Sequence, residues 1–516
     1  MYKVVPIESI EEVFSKTENR FLLEQGVAIL PGPGQADAFR LFCDTNFKDH
    51  QLEMITISKF TKDLLNKLSK KYLNKEVLIS KKSELMLELS VVWTEYFAGL
   101  KDELFFESFN HLTELRSHST DLTLMEEALL DFDEDKSKII KIFWHFLETV
   151  ETIDEHKAYN LLSELLRREV ERPVGGENYL FIGFSHLTPL QIDLIKSLGI
   201  RNDVLIPVYS ETLKVAQKSD WICWLENVEE YVDQRASENY KLNYAQFPPN
   251  RMAETLKTFE KELNGKDIYL ATKNLELSEC NEIPYGDYMF KVGDNIFQDT
   301  NAWLIEHIRQ NILPDNQSKV HYNTLIDKLK MTLERSLEKE NKNFRKIKSI
   351  LNFIKLIKSW ADLTTKNKKI SRFTLNVFEQ TLELDSPRSY DVPIINNEDD
   401  KKIQDLNLLE FCTKKREIVL CVSSLYSSIL GNDHLYSEKT REFLATIGPI
   451  RRKETEFSII KTIIKNVLLL EGNLLFVEKG LCEKDLGWGE IFNIFTEENE
   501  ILVSNELKLN NKGDPL

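Results

Sequence analysis

Apolar and polar positions follow two regimes along this chain. Short apolar runs bounded by glycine, proline or polar residues read as strands buried on both faces. These are Gly26-Val-Ala-Ile-Leu30, the stretch opening at Ile55-Thr56, Tyr179-Leu-Phe-Ile182, Val204-Leu-Ile-Pro-Val208, Asp267-Ile-Tyr-Leu-Ala271, Glu417-Ile-Val-Leu-Cys-Val422 and Asn473-Leu-Leu-Phe-Val477. Between them, from Asn74 to Arg172 and from Thr300 to Leu384, the spacing becomes helical. Glu84 to Trp93 and Ile139 to Leu147 are the densest amphipathic runs of the first stretch. In the second, Phe344, Ile347, Ile350, Leu351, Phe353, Ile354 and Ile357 form the apolar face of a helix running to Trp360.

The segment Tyr179 to Leu198 shows how the strands and helices are joined. Gly183 closes the strand, and Ser185 and Thr188 are each suited to cap the helix that follows. Pro189 then falls in the first turn, where its missing N–H costs nothing. Leu190, Leu194, Ile195 and Leu198 share one face, Gly199 ends the helix, and the next strand begins at Val204. Strand, helix and strand in that order predict a parallel α/β sheet.

At 516 residues the chain is too long for one core and predicts two to four domains. With 42% apolar residues, 18 Gly and 14 Pro, it is globular and rich in helix. No apolar run reaches the length of a membrane span and the N-terminus has no basic n-region, so a cytoplasmic protein with no membrane contact is expected. The six cysteines, Cys43, Cys223, Cys280, Cys412, Cys421 and Cys482, contain no CxxC pair, which argues against a disulfide framework or a zinc site. The net charge of -17 argues against a chain coated in nucleic acid. The charge is uneven, however: from Lys319 to Arg372 basic residues outnumber acids about three to one. Arg345, Lys346, Lys348, Lys355 and Lys358 decorate the helix in that stretch, with Lys366 and Lys368 beyond it. They are candidates for contacts to a nucleic-acid backbone; the competing reading is a solvated face.

Candidate chemistry is sparse. The turn Pro31-Gly32-Pro33-Gly34 leads from a strand into a helix expected to begin near Gln35, and such a turn can cradle a phosphate. A phosphate loop needs Gly-x4-Gly-Lys-Ser/Thr, and that lysine and hydroxyl are absent; Gly265-Lys266 is followed by Asp267. Ile182 stands where a nucleotide-hydrolysing sheet carries its magnesium-holding acid. Asp131-Phe-Asp-Glu-Asp135 mimics the start of a calcium loop, but Lys136 and Ile142 replace the glycine and glutamate it requires, which leaves an acidic connection. Glu506-Leu-Lys508, with Asp485 upstream, fits half of a restriction-type nuclease signature; the same pattern on an edge strand is a common solubility device.

The string Gly183-Phe184, a polar gap opened by Ser185, then Thr188-Pro189-x-Gln191 before a leucine-rich helix resembles the corresponding strand and helix of the AddB family, and of its relative RecC. These are UvrD-like helicase-nuclease subunits of bacterial double-strand-break repair. The resemblance covers most of the chain in element order, but the matching residues are confined to a few short strings. It implies an α/β protein of two RecA-like (UvrD-type) parallel-sheet domains, each with a helical insertion. The first domain would comprise 1–75 and 173–250 with its insertion at 76–172. The second would comprise 251–299 and 386–516, with the basic insertion at 300–385.

In such proteins a strand, a proline and a helix, as at Pro31, Gly32 and Gly34, mark a segment that contacts DNA. The segment Leu435 to Gly448, the helix from Glu454 to Leu470 and the strand from Asn473 correspond to the end of a second motor domain. There the place of the arginine that reaches the γ-phosphate offers only Lys461 and Lys465, with Arg451 and Arg452 upstream. A family member would also continue into a nuclease domain with a cysteine-bound iron–sulfur cluster, which is not expected here. The resemblance therefore implies a catalytically inactive helicase-like subunit that takes no cofactor and binds double-stranded DNA ends beside an active AddA-like helicase-nuclease. A protein-interaction scaffold without DNA binding and a nuclease remnant are the alternatives.

Overall fold

The computed structural model describes residues 2–15, 19, 21–47, 50–97, 99–169, 178–225, 295–311, 319–338, 344–364, 368–385, 402–411 and 436–468, together with the isolated strands 243–247, 267–270, 282–285, 288–291, 392–393, 418–422 and 474–478. The chain divides into two compact units. One comprises residues 1–75, 159–293 and 389–516, the other 76–158 and 294–388.

The first unit opens with β1 (Tyr2–Ile7), α1 (Ile10–Ser15), α2 (Phe21–Gln25), β2 (Gly26–Leu30), α3 (Pro33–Asn46), β3 (Glu53–Thr56) and α4 (Ile57–Tyr72). The second unit then contributes α5 (Lys82–Tyr96), α6 (Glu103–His118), α7 (Leu122–Leu129) and α8 (Glu134–Thr149), and α9 (Glu155–Arg168) leads back. The first unit resumes with β4 (Asn178–Phe181), α10 (Pro189–Gly199), β5 (Asp203–Tyr209), α11 (Ser210–Val215), α12 (Trp221–Trp224), β6 (Asn243–Phe247), β7 (Asp267–Leu270), β8 (Glu282–Tyr285) and β9 (Tyr288–Lys291).

The first sheet has the order β1-β5-β4-β2-β3, and every neighbouring pair is parallel. Set β1 aside and the other four strands, counted from β2, lie in the order 2-1-3-4 of a doubly wound sheet. The N-terminal β1 pairs with β5 along its whole length, Tyr2 opposite Val204 to Ile7 opposite Tyr209, and so takes the fifth place. One core cluster of Val5, Ile7, Phe14, Leu30, Phe39 and Leu180 joins this sheet to α1 and α3. The strands are buried on both faces, as continuous apolar runs require: Ala28, Ile29, Leu30 and Leu180 have no exposed surface.

The local signals act where the residues place them. Thr188 accepts from the Gln191 N–H at 3.3 Å, while the Gln191 side chain accepts from the Thr188 N–H at 3.0 Å, closing a capping box at α10. Thr188, not Ser185, is thus the cap. Asp133 caps α8 by accepting from the Lys136 N–H, so the acidic string at 131–135 is a helix start. The helix expected from Gln35 starts at Pro33, with Gly32 as N-cap and the proline in the first turn, where its fixed φ favours a helix.

The second unit continues with α13 (Asn295–Asn311), β10 (Lys319–His321), α14 (Tyr322–Glu338), α15 (Phe344–Leu363), β11 (Lys369–Ser371) and α16 (Arg372–Asp385). The sequence reading places these helices and α5–α8 in separate insertions; in the structure they share a core. Phe373 of α16 lies 5.9 Å from Trp93 and 5.1 Å from Phe105, ring centre to ring centre. In the last turn of α6, Arg116 is 1% exposed and is held by Asp154, by Glu148 at 3.1 Å and by the face of Trp144 of α8 at 5.0 Å.

The chain closes in the first unit with β12 (Val392–Pro393), β13 (Lys402–Asp405), a 3-10 turn at Leu406–Phe411, β14 (Ile418–Val422), α17 (Glu438–Ile447), α18 (Lys453–Leu468) and β15 (Leu474–Glu478). A second sheet has the order β12-β13-β7-β14-β15-β6, with β12 antiparallel and the other five strands parallel. Lys366, Asp485, Glu506 and Lys508 lie outside the described residues. No helix among the described residues is long and apolar enough to cross a membrane.

Candidate functional site

From β2 the chain winds through α3 to β3 on one side; from β4 it winds through α10 to β5 on the other. The carboxyl ends of β2 and β4 therefore flank a topological switch point, where open parallel sheets hold their ligands. Pro31 follows β2 and Gly183 follows β4. A cavity of ≈ 330 Å³ opens at this edge, lined among others by Gln35, His186, Tyr209, Glu410, Arg451 and Glu456. That volume lies at the lower end of small-molecule sites.

The switch point itself is filled. Gly183 has φ +80°, a left-handed conformation that glycine adopts without a Cβ clash. A Cβ built there would lie 3.1 Å from the tip of the Phe411 ring and 3.6 Å from Pro31 Cδ. Phe411 is 3% exposed and packs on Phe39 with ring centres 5.2 Å apart. The turn that carries it follows β13 of the second sheet without an intervening residue. Beside it Glu410 accepts a 2.9 Å hydrogen bond from the Tyr209 hydroxyl. Burial pushes the Glu410 carboxyl up to about 7, against a smaller opposing effect of that hydrogen bond. Tyr209 is held well above the usual phenol range by its own burial and then by the Glu410 charge.

Two arginines approach from the start of α18. Arg451 lines the cavity and donates to Glu456, whose side chain is 3% exposed. Arg452 sits 3.7 Å from the buried Asp220, which also accepts from Thr455 Oγ1 at 2.6 Å and from the Gln217 N–H at 2.7 Å. Arg452 therefore ties α18 to the loop before α12.

This arrangement is poorly suited to a polyphosphate. Only Pro31 and Gly32 join β2 to α3, a link too short to form a phosphate loop, and Pro33 removes one N–H from the first turn of α3. Among the described lining residues there is no lysine, and two carboxyl groups, Glu410 and Glu456, face the space. Ile182, where a magnesium-holding acid would stand, is 1% exposed and part of the core.

Of the motif residues, the structure brings Pro31, Gly183, Phe184 and Ser185 to the cavity edge. Gly32 and Gly34 belong to the cap and first turn of α3, and Thr188 and Gln191 to the capping box. Ser185 is exposed and its carbonyl accepts from Trp221 Nε1 at 3.2 Å. The basic residues lie in the other unit. Lys348, Lys355 and Lys358 are exposed on the side of α15 opposite the buried Ile350, Phe353 and Ile357. Arg345 and Lys346 belong to its first turn, though their side chains are outside the description. Lys368 lies over the Tyr322 ring at 5.5 Å. The sequence reading missed Tyr209, Glu410 and Phe411. The one signal was a single acid inside the apolar run Leu408-Leu409-Glu410-Phe411.

Compared with known proteins, the sequence matches no family model and no curated protein.

Proposed function

We propose that this chain is a helicase-like subunit that does not turn over nucleotide, built on two RecA-like domains, and that it binds double-stranded DNA ends beside a partner subunit that supplies helicase and nuclease activity. The observation that carries this reading is the crevice of the first sheet. It has the position of a nucleotide site, but it has a two-residue link in place of a phosphate loop and Phe411 seated on Gly183. The mainly parallel second sheet, which delivers Phe411, supports a two-motor-domain ancestry. The exposed lysines of α15, within the acid-poor stretch 319–372 of a chain with net charge -17, support a surface for a phosphate backbone.

Two measurements on the purified chain test it: magnesium-dependent ATP turnover, and gel shift of blunt-ended duplex DNA across a salt series. Background turnover is expected. Turnover abolished by a substitution at Gly32 or Gly34 overturns the silent reading. Replacing Arg345, Lys348, Lys355 and Lys358 by alanine should weaken duplex binding and flatten its salt dependence, by roughly 0.9 in log–log slope for each phosphate that is no longer neutralised. Unchanged affinity and slope would make a scaffold without DNA binding the better reading.

A further inference from the structure

The two short strands of the helical unit form a ribbon of defined register. Lys319 lies opposite Ser371, Val320 opposite Ile370, and His321 opposite Lys369. Directly opposed residues of an antiparallel pair share a face, and successive residues alternate. Val320 and Ile370 are 9% and 0% exposed, so theirs is the inner face. The outer face then carries Lys319, His321, Lys369 and Ser371 together, and the first three are exposed. Arg372, also exposed, follows as the first residue of α16.

Aromatic rings are interleaved with this charge. His321 and Tyr322 have ring centres 4.9 Å apart, and Lys368 covers Tyr322. The Asn323 N–H donates to His321 Nδ1 at 3.4 Å, which helps to orient the ring. The strings Lys319-Val-His-Tyr-Asn323 and Lys368-Lys-Ile-Ser-Arg372 contain four cations and no acid, in a chain with 84 Asp and Glu. Among the described residues Lys319 and Lys369 have no ion-pair partner. A solvated face in so acidic a protein would carry charges of both signs.

We propose that this ribbon grips a single strand of nucleic acid, with Lys319, Lys369 and Arg372 on successive phosphates and the His321–Tyr322 pair offering a ring face to a base. Cations alone would equally suit an acidic peptide; the exposed His321 ring beside the half-buried Tyr322 is what a nucleobase uses. The inference rests on the DNA-end reading for its substrate class and adds to it the unpaired overhang, held by residues other than the lysines of α15.

The test is fluorescence anisotropy of the full chain with labelled oligo(dT) and, separately, with a blunt-ended duplex, across a salt series. Lys319→Ala with Lys369→Ala should weaken oligo(dT) binding at least tenfold and lower the log–log salt slope by roughly 1.4, the equivalent of two single-strand phosphates, while affecting the duplex less. His321→Ala should weaken oligo(dT) binding roughly five- to hundredfold with the slope unchanged, because stacking releases no counterions. Circular dichroism and thermal melts check that each variant is folded. Duplex binding with no oligo(dT) binding, or oligo(dT) binding indifferent to folded variants, overturns the ribbon and leaves the DNA-end reading standing. Oligo(dT) binding that depends on the ribbon with no duplex binding overturns the duplex-end reading alone. Displacement of oligo(dT) by poly-glutamate as effectively as by unlabelled oligo(dT) at equal charge overturns the nucleic-acid assignment in favour of an acidic peptide.

Discussion

Replacing Gly183 by alanine places a Cβ on a backbone held at φ +80°. Left-handed backbone costs a non-glycine residue roughly 1–2 kcal/mol before any neighbour is considered. The new carbon would also meet Phe411 Cζ at 3.1 Å, tighter than an ordinary contact, and the ring cannot retreat freely because Phe39 lies behind it. Gly183→Ala is therefore expected to lower stability by about 2 kcal/mol, measured as the shift in urea midpoint at constant slope. The two contributions are separable. Phe411→Leu leaves a more compliant neighbour, so in that background Gly183→Ala should cost less by at least ~0.5 kcal/mol, while the backbone contribution remains. Gly99→Ala is the control: a Cβ there meets nothing within 4 Å, and the change should be neutral or stabilise by up to ~1 kcal/mol. A Gly183→Ala protein with the wild-type midpoint would refute both the conformation and the closure of the crevice by Phe411.

Glu410, at about 7 in the folded protein against 4.5 ordinarily, keeps its proton where the unfolded chain has lost it. Its contribution is thus full below about pH 4.5 and is lost as pH rises to about 7. Glu410→Gln should remove that part of the pH dependence in denaturant titrations from pH 4 to 8; identical profiles would contradict the assignment. Tyr209→Phe, which removes the hydrogen bond favouring the carboxylate, should move the upper end of the window upward. In the helical unit, Arg116→Met strands the buried Asp154 and should cost about 3–5 kcal/mol, most of it recovered when Asp154→Asn is added. Equal stability of the single and double variants would show that the stranded charge is not the cause.

What was legible in the sequence was local. The Thr188–Gln191 box and the Gly183 turn are each specified within four residues, so pattern reading finds them. The start of α3 was misplaced by two residues because Pro33, read as part of a turn, also fits the first turn of a helix. The site's closure was not legible. Tyr209 and Glu410 are 201 residues apart, and no periodicity of either segment indicates that they meet. The same holds for the core shared by α5, α6 and α16: Trp93 and Phe105 fall in one helical stretch of the sequence and Phe373 in the other, and no spacing within either indicates that the rings meet.

If the chain is the helicase-like subunit proposed above, the two-residue link between β2 and α3 bears on whether point mutations could build a phosphate loop there. In a phosphate loop the first glycine precedes the second by five positions, with lysine and a hydroxyl residue immediately after. If Gly34 is taken as the second glycine, Gln35→Lys and Ala36→Thr supply the missing side chains by substitution. The first glycine then falls at Ile29, a residue of β2 with no exposed surface, paired to Ile55 on one side and Phe181 on the other. A glycine there would hollow out the sheet without creating a loop, because the chain between strand and helix would be no longer. Point mutations therefore lead to no working intermediate; only inserted residues lengthen the link, and Phe411 would still have to leave the crevice. What bars a phosphate loop here is chain length, which single substitutions do not change.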